Sequence, residues 1–337
     1  MRISVIIPCR NEKNYIQECI EAIYASDISD SLCLSVFVVD GMSDDGTREI
    51  VMDLVNDFQG LKLVDNIQQL TPFAFNLGIH QTSFDYLQIV GARHIISSNY
   101  ISKSIDILEN DKSVWCVGGK LKNEYTTTTS RIIANAMDTS FGMGLGNFRI
   151  KENSGFTDTV TSPMYPAFVF EKIGYFDEEL IRNQDDDFNF RVSKEEGGIW
   201  FESSISLKYY VRASFNGLFK QFFQYGYWKV YVNKKHGEVT TLRQLVPPLF
   251  VLYTLLLPFL LGVNFSLFTF ASIGLIFYTL LAVFFGMKKS ENFKEFFGVV
   301  KTFPILHFSY GFGYLQGLIH FFVLNKKPSS KQKTLSR

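Results

Sequence analysis

The most restrictive feature of this sequence is a stretch of 44 residues, from 244 to 287, that contains no charged side chain. A membrane-spanning helix needs about 20 consecutive apolar residues. The stretch therefore has room for two spans, near residues 245–263 and 265–286, with Asn264 at a tight turn between them. A soluble helical hairpin would need polar outer faces, and this stretch has none. We expect two membrane helices.

A third uncharged run, residues 302–325, contains His307, Gln316, His320 and several glycines, and it either spans the membrane, lies in the interface or re-enters. The positive-inside rule uses the basic residues that flank the spans. These are Lys229, Lys234, Lys235 and Arg243 before the first span, and Lys288, Lys289 and Lys294 after the second. We therefore expect a protein of the inner or plasma membrane whose N-terminal part is cytoplasmic. The tail, residues 326–337, is also basic. A spanning third segment would place this tail outside, so we favour an interfacial or re-entrant segment that leaves the tail on the cytoplasmic side.

The zero net charge of the chain conceals two unlike halves. Residues 1–207 hold 17 basic and 30 acidic side chains, whereas residues 208–337 hold 16 and 3. The basic half suits an anionic lipid surface, and we expect no nucleic-acid partner. Four cysteines show no CxxC spacing, and the apolar start at residues 3–8 is too short for a signal sequence. We expect reduced, mostly buried thiols.

The first 90 residues alternate between short β-branched apolar runs and segments with helical periodicity. The runs cover residues 3–8, 35–40, 61–65 and 85–90. This series predicts an α/β domain with a doubly wound, mainly parallel sheet. Ligands of such sheets bind beyond the carboxyl ends of the strands. Those ends carry Pro8-Cys9-Arg10-Asn11-Glu12, Asp40-Gly41 and Gly91-Ala92-Arg93.

Polar residues at the first two strand ends have two interpretations. Asp40 is suited to accept hydrogen bonds from a nucleobase or a ribose, and Arg10 with a helix N-terminus at Asn11 is suited to meet negative charge. Alternatively, Asn11, Asp44 and Asp45 are ordinary turn and capping residues. The joint pattern favours a binding site.

Two later segments also have both a structural and a functional interpretation. Asp185, Asp186 and Asp187 begin a predicted helix, where they either cap it or supply a general base for a hydroxyl nucleophile. The aromatic segment that contains Trp228 and Lys229 either anchors the chain at the membrane interface or lines a site for a lipid-linked substrate.

Several spaced motifs together resemble the family-2 inverting glycosyltransferases, and most closely their membrane-anchored exopolysaccharide branch of the succinoglycan type. The motifs are SVIIPCRNE, VVDGMSDDGTREIV, TPFAFNLGI, GYFDEELIRNQDDDFNFR, QYGYWK and LVPPLFVL. The resemblance implies a GT-A fold, a nucleotide-diphospho-sugar donor carrying UDP, and a polyprenyl-linked glycan acceptor at the cytoplasmic membrane face.

The resemblance also implies roles for individual residues. Pro8, Arg10, Asn11 and Glu12 would border the nucleotide, Asp40 would bind the uracil or ribose, and Asn76 would lie beside it. Asp185 would be the base, with Gln184 in place of the acid that usually precedes it, and Asp186, Trp228 and Lys229 would lie on the acceptor side.

One motif departs from the family pattern. The fourth strand ends in QIVGARH, so Gly91 stands where an aspartate usually holds Mg²⁺ or Mn²⁺ on the donor diphosphate. Either Arg93 supplies the missing positive charge, or His94 helps to hold a metal, or the site is degenerate. The last alternative would make the chain a non-catalytic sugar-nucleotide-binding or scaffold subunit of a polysaccharide assembly.

The sequence thus predicts four regions. Residues 1–207 form the glycosyltransferase domain, residues 208–243 a basic and aromatic juxtamembrane segment, residues 244–325 the membrane region, and residues 326–337 the basic tail. A processive synthase is a weaker alternative, because two or three membrane segments offer too little for a polymer channel.

Overall fold

A computed structural model describes residues 1–29, 32–144, 148–211 and 213–328. The chain divides into two compact units: Met1–Asn123 with Phe148–Tyr210, and Glu124–Asn147 with Val211–Arg337. The predicted first domain overlaps the first unit, except that residues 124–147 pack with the second. Lys331, Lys333 and Arg337 of the basic tail lie outside the described residues.

The first unit is built on a single sheet. Its described strands are β1 (Arg2–Cys9), β2 (Cys33–Asp40), β3 (Leu61–Asp65), β4 (Tyr86–Ile89), β5 (His94–Ile96), β6 (Val114–Glu124), β7 (Gly155–Phe156), β8 (Thr161–Pro166) and β9 (Gly198–Tyr210). Their order is β3-β2-β1-β4-β8-β6-β9-β5, with β7 paired to β9. The first four strands are parallel, as the sequence predicts, and β8 begins an antiparallel half.

The described helices follow in chain order. They are α1 (Ile16–Tyr24), α2 (Thr47–Asp57), α3 (Thr71–Ile79), α4 (Tyr100–Asn110), α5 (Thr128–Met137), α6 (Ser140–Met143), α7 (Ala167–Ile173), α8 (Gln184–Lys194), α9 (Phe215–His236), α10 (Val246–Val263), α11 (Phe265–Lys288) and α12 (Phe293–Leu318). A 3₁₀ turn (Leu242–Leu245) precedes α10, and a π-helical turn (Ile319–Val323) follows α12.

Helices α1 and α3 pack against the sheet for different reasons. Ile16, Cys19, Ile20 and Ile23 form the buried face of α1, because residues three and four apart share one side of a helix. On α3, a Cβ at Gly78 would stand 2.8 Å from the side chain of Ile6 on β1. The glycine therefore permits the close approach of α3 to the central strand.

Helices α10 and α11 expose apolar side chains along their length. With the preceding 3₁₀ turn they give two stretches, Leu242–Val263 and Phe265–Lys288, that are long and apolar enough to cross a membrane. Phe259 and Phe270 are each more than 70% exposed, and such a surface is unfavourable in water. Asn264 caps α11 by accepting a hydrogen bond from the Leu267 N–H at 3.0 Å.

Residues 302–318 of the third uncharged run lie in α12, of whose 26 residues ten are buried, and residues 319–323 form the π-helical turn, in which Ile319, Phe322 and Val323 are exposed. The N-terminal turns of α12 contain Lys294, Glu295 and Lys301, and the described residues contain only two helices that meet the length and hydropathy of a span. Close packing against α9 depends on glycine, because a Cβ at Gly313 would collide with the carbonyl oxygen of Phe223.

Polar contacts attach α5 and α6 to the C-terminal helices of the same unit. Arg131 on α5 forms an ion pair with the buried carboxylate of Glu295 on α12. The Asn135 amide donates to the carbonyl of Lys289 at 2.9 Å. These contacts explain why residues 124–147 belong with a part of the chain that lies far away in sequence.

We expect Gly313→Ala to destabilise the second unit. The added methyl group must push α12 away from α9, and overpacking of this kind costs about 1–3 kcal/mol. Thermal unfolding of the full chain in detergent should show a lowered Tm. The matched control is Gly262→Ala on α10, where nothing lies within 4 Å of the added carbon. That substitution should leave the Tm unchanged or raise it slightly, and equal losses for the two variants would contradict this account.

Candidate functional site

Two loops at the carboxyl edge of the parallel strands are joined by hydrogen bonds. We call residues 10–13, after β1, and residues 41–47, after β2, the strand-end loops. The Asn11 N–H donates to the Ser43 hydroxyl at 2.8 Å, and its side-chain amide donates to Asp44 at 2.9 Å. The Asp44 N–H returns a bond to Asn11 Oδ1 at 3.1 Å. Asn11 adopts a left-handed conformation, with φ of 55°, which asparagine tolerates better than most residues.

The next residues extend this connection. The Glu12 N–H donates to the Thr47 hydroxyl at 2.9 Å, and the Lys13 N–H donates to Asp45 at 3.3 Å. Helix α1 is capped at Tyr15 and not at Asn11, so the prediction of a helix N-terminus at Asn11 is wrong. The reason is that the backbone N–H groups of these residues bond across to the second loop.

Asp40 is the buried anchor of the second loop. Its Oδ2 accepts hydrogen bonds from the Ser43 N–H and from Arg48, each at 2.8 Å, and its Oδ1 accepts one from the Ser43 hydroxyl. Arg48 also donates to Asp65 at 2.7 Å. The hydrogen bonds that Arg48 donates to the two carboxylates raise its pKa. Asp40 is fully buried, so its role toward a nucleobase or ribose stays a prediction.

Sequence reasoning missed Ser43, Arg48 and Asp65. A signal was present, because β2 and β3 both end in aspartate and the two residues are paired in register, Asp40 with Asp65. Adjacent carboxylates repel each other unless a cation lies between them. Arg48, the second residue of α2, meets this requirement.

Pro8 and Arg10 lie where the sequence predicts, at the end of β1. Pro8 is paired with Val39 in the sheet and is partly exposed. A Cβ at Gly41 would stand 3.1 Å from Cδ of Arg10. The Arg10 side chain therefore crosses the second strand-end loop at a glycine.

Arg93 lies at the end of β4 and is held by two side chains. Its Nε donates to the Glu12 carboxylate at 2.7 Å, and its guanidinium carbon lies 4.9 Å from the centre of the Tyr15 ring. Burial opposes the charge, but the attraction of Glu12 outweighs it and raises the pKa of Arg93. The guanidinium is a partly exposed, permanent cation next to the strand-end loops.

The imidazole of His94 fills the space beside Gly91. Its Cε1 would lie 3.1 Å from a Cβ at that glycine. Its Nδ1 accepts the Gly91 N–H at 3.3 Å and lies 2.7 Å from the Ser162 hydroxyl. Burial, helped by Arg149, lowers the pKa of His94 to about 4. The neutral ring therefore carries its proton on Nε2, and neither nitrogen offers a lone pair to a metal in this arrangement.

Asn76 connects α3 to the segment that precedes α8. Its amide donates to the Phe176 carbonyl at 2.9 Å and to the Glu178 carboxylate at 3.0 Å, and its Oδ1 accepts the Phe176 N–H at 3.0 Å. Both amide hydrogens are thus used within the protein. These contacts connect Asn76 to the segment before α8, and its place beside the nucleotide stays a prediction.

The three adjacent acids on the first turn of α8 have different surroundings. Asp187 is buried and accepts a hydrogen bond from Arg191 at 3.0 Å. Asp186 accepts a hydrogen bond from Asn183 at 2.8 Å. Asp185 is the exposed member of the three. The N-terminal turn of a helix stabilises a carboxylate in its ionised form, which is the form that a general base requires.

The two aromatic-segment candidates are interior residues of the second unit. Trp228 and Lys229 on α9 are 0% and 1% exposed, respectively. Lys229 Nζ lies 3.4 Å from the Thr241 hydroxyl. Burial therefore argues for a structural role, and direct contact with an acceptor stays a prediction.

The environment of His94 predicts a pH dependence of stability. An unfolded histidine has a pKa of about 6.5, so between that value and about 4 the unfolded chain binds more protons than the folded one. The free energy of unfolding should therefore fall as the pH is lowered through this window, by up to about 1.4 kcal/mol per pH unit from this group. His94→Gln should reduce that slope, measured as Tm against pH. His80→Gln, at an exposed position, should leave the slope unchanged, and an unaltered slope in His94→Gln would contradict the assignment.

Comparisons with known proteins agree with this architecture. Residues 4–174 match the model of glycosyl transferase family 2. A dolichyl N-acetyl-alpha-D-glucosaminyl phosphate 3-beta-D-2,3-diacetamido-2,3-dideoxy-beta-D-glucuronosyltransferase of Methanococcus voltae is 28% identical over 66% of this chain and 71% of its own length. The succinoglycan biosynthesis protein ExoA of Rhizobium meliloti is 27% identical over 72% of this chain and 73% of its own length.

A solved structure shows the same fold. It is the mannosyltransferase PcManGT from Pyrobaculum calidifontis in complex with GDP-Man and Mn²⁺, which is 13% identical to this chain. The alignment covers 98% of this chain and 77% of the mannosyltransferase, with a TM-score of 0.54. The expected GT-A type of mixed sheet is thereby confirmed. Because the family match spans half of the sequence, the chain belongs to glycosyl transferase family 2.

Proposed function

We propose that this glycosyltransferase moves a sugar, with inversion, from a nucleotide-diphospho-sugar to a hydroxyl group of a lipid-linked glycan during exopolysaccharide or cell-surface glycan synthesis. Family membership and glycosyltransferase relatives support an enzyme over a scaffold subunit. The observation that carries the mechanism is the exposed carboxylate of Asp185 on the first turn of α8.

The donor is proposed to bind at the strand-end loops. Their hydrogen bonds form a connected edge that includes Asn11 and Glu12, with Pro8, Arg10 and Arg93 adjoining it. This is the edge at which α/β sheets bind nucleotides. The mannosyltransferase with the same fold was solved with GDP-Man. For this chain we propose UDP as the nucleotide, which rests on the motif resemblance.

In the proposed reaction Asp185 acts as the general base. Its carboxylate takes the proton of the acceptor hydroxyl while that oxygen attacks the anomeric carbon. The bond between that carbon and the diphosphate oxygen breaks on the opposite face, and the nucleotide diphosphate leaves with the electron pair. Asp186 lies next to this group and is proposed to face the acceptor.

The acceptor is proposed to be presented by the membrane. Helices α10 and α11 have the length and the exposed apolar surface of spans, and basic residues flank both. The positive-inside rule then favours a cytoplasmic first unit. Two relatives, a dolichyl-linked transferase and a succinoglycan biosynthesis protein, support a lipid-linked glycan as the acceptor.

Asp185→Asn should abolish transfer and leave donor binding largely intact. General-base catalysis contributes about 10²–10⁴-fold to a rate, so the turnover number should fall by that order. The assay follows transfer of labelled sugar from a donor panel into membrane lipid. Asp186→Asn is the matched control, and it should lose much less activity because it removes no base. Near-normal turnover in Asp185→Asn would refute the assignment.

The orientation can be tested with a native thiol. Cys33 is exposed, whereas Cys9, Cys19 and Cys116 are buried. A membrane-impermeant maleimide should label the full chain in inverted membrane vesicles and not in right-side-out vesicles. Cys33→Ser should remove the label. Labelling of right-side-out vesicles alone would place the first unit outside and contradict the proposal.

A further inference from the structure

We propose that this enzyme works without a divalent metal on the donor diphosphate, and that Arg93 supplies the positive charge on which the leaving group is stabilised. The inference rests on the proposed function and concerns the same site. It has three independent supports: the side chains available at the end of β4, the packing of His94 and the support of Arg93.

The available side chains do not suit Mg²⁺ or Mn²⁺. Both ions prefer carboxylate and other oxygen ligands, and the turn after β4 reads Gly91-Ala92-Arg93. A metal on a nucleotide diphosphate usually has only one or two protein carboxylates, and residues 86–105, which include β4 and this turn, contain no Asp or Glu. A fixed guanidinium at the turn would also repel a divalent cation.

The packing of the His94 ring explains why the turn has glycine at position 91. The imidazole lies against Gly91 at the place where any side chain would begin. Its Nδ1 accepts a hydrogen bond from the backbone of that glycine. A side chain at this position would require the ring to shift by a few tenths of an ångström, so glycine is the residue that fits the turn with His94 in its present place. The same bond removes His94 as a ligand.

Arg93 has the chemistry that a leaving diphosphate requires. A guanidinium is always charged and presents several N–H donors in a planar fork that matches phosphate oxygens. Glu12 engages Nε at 2.7 Å and Tyr15 lies beneath the guanidinium. These two contacts, at Nε and on one face of the plane, hold the guanidinium in one orientation. Glu12 is thus a positioning residue.

The charge balance of the step then needs no metal. As the bond from the anomeric carbon to the diphosphate oxygen breaks, the electron pair remains on that oxygen. The developing negative charge accepts hydrogen bonds from Arg93. The proton released by the acceptor hydroxyl goes to Asp185, and the bond from the acceptor oxygen to the anomeric carbon forms.

Binding of UDP to the purified full chain in detergent, measured by calorimetry with EDTA and separately with Mn²⁺, tests the proposal without relying on turnover. GDP is measured in parallel. The affinity of the preferred nucleotide should agree within about twofold between the two conditions. Arg93→Ala should weaken it by about 10- to 100-fold, the loss expected for hydrogen bonds to a charged group. Arg93→Lys should give an intermediate value.

The control variant is Arg2→Ala, at the opposite end of β1 and paired with Asp85, which should bind as the wild type does. Nucleotide binding that requires Mn²⁺, or that is unchanged in Arg93→Ala, would overturn the proposal. Transfer assays with and without EDTA distinguish a failure of the proposed function from a failure of the metal-independence proposal. Metal-independent binding without any transfer would count against the proposed function alone, whereas transfer that EDTA abolishes and Mn²⁺ restores would count against this inference alone.

Discussion

The site depends on the neutralisation of two carboxylates that end neighbouring parallel strands. Asp40 and Asp65 are paired in register, and Arg48 hydrogen-bonds to both. This arrangement lets Asp40 stay buried while it accepts hydrogen bonds from Ser43, whose hydroxyl in turn accepts the backbone N–H of Asn11. The two strand-end loops are therefore fixed by a buried charge arrangement and not by their own sequence preferences. A binding edge of defined shape follows from it.

The same edge leads to the feature that separates this chain from its family pattern. Glu12 belongs to the first strand-end loop and also holds Arg93 at the end of β4. The Arg93 cation attached to that loop thus lies two residues after Gly91, where the motif resemblance leads us to expect a metal-binding acid. Because His94 occupies the space beside Gly91, the change involves several residues that fit one another. A consistent set of this kind favours a working alternative over a degenerate site.

Local periodicity was sufficient to predict the parallel strands, the buried face of α1 and the two apolar helices, because each depends on residues close in sequence. Contacts between distant residues were not predictable in this way. Nothing in the sequence around Arg131 indicated its ion pair with Glu295, which attaches residues 124–147 to the second unit. The three acids of α8 likewise look equivalent in sequence, and only their burial in the folded chain distinguishes the exposed Asp185 from the buried Asp187.

The most direct test of the metal-free site is a structure of the full chain determined with UDP in the presence of Mn²⁺. The account predicts that the diphosphate oxygens lie within hydrogen-bonding distance of the Arg93 guanidinium, at about 2.7–3.2 Å, with Glu12 still bound to Nε. It also predicts no ion between the diphosphate and the turn at Gly91. A Mn²⁺ ion held there by protein side chains, with Arg93 turned away from the diphosphate, would contradict it.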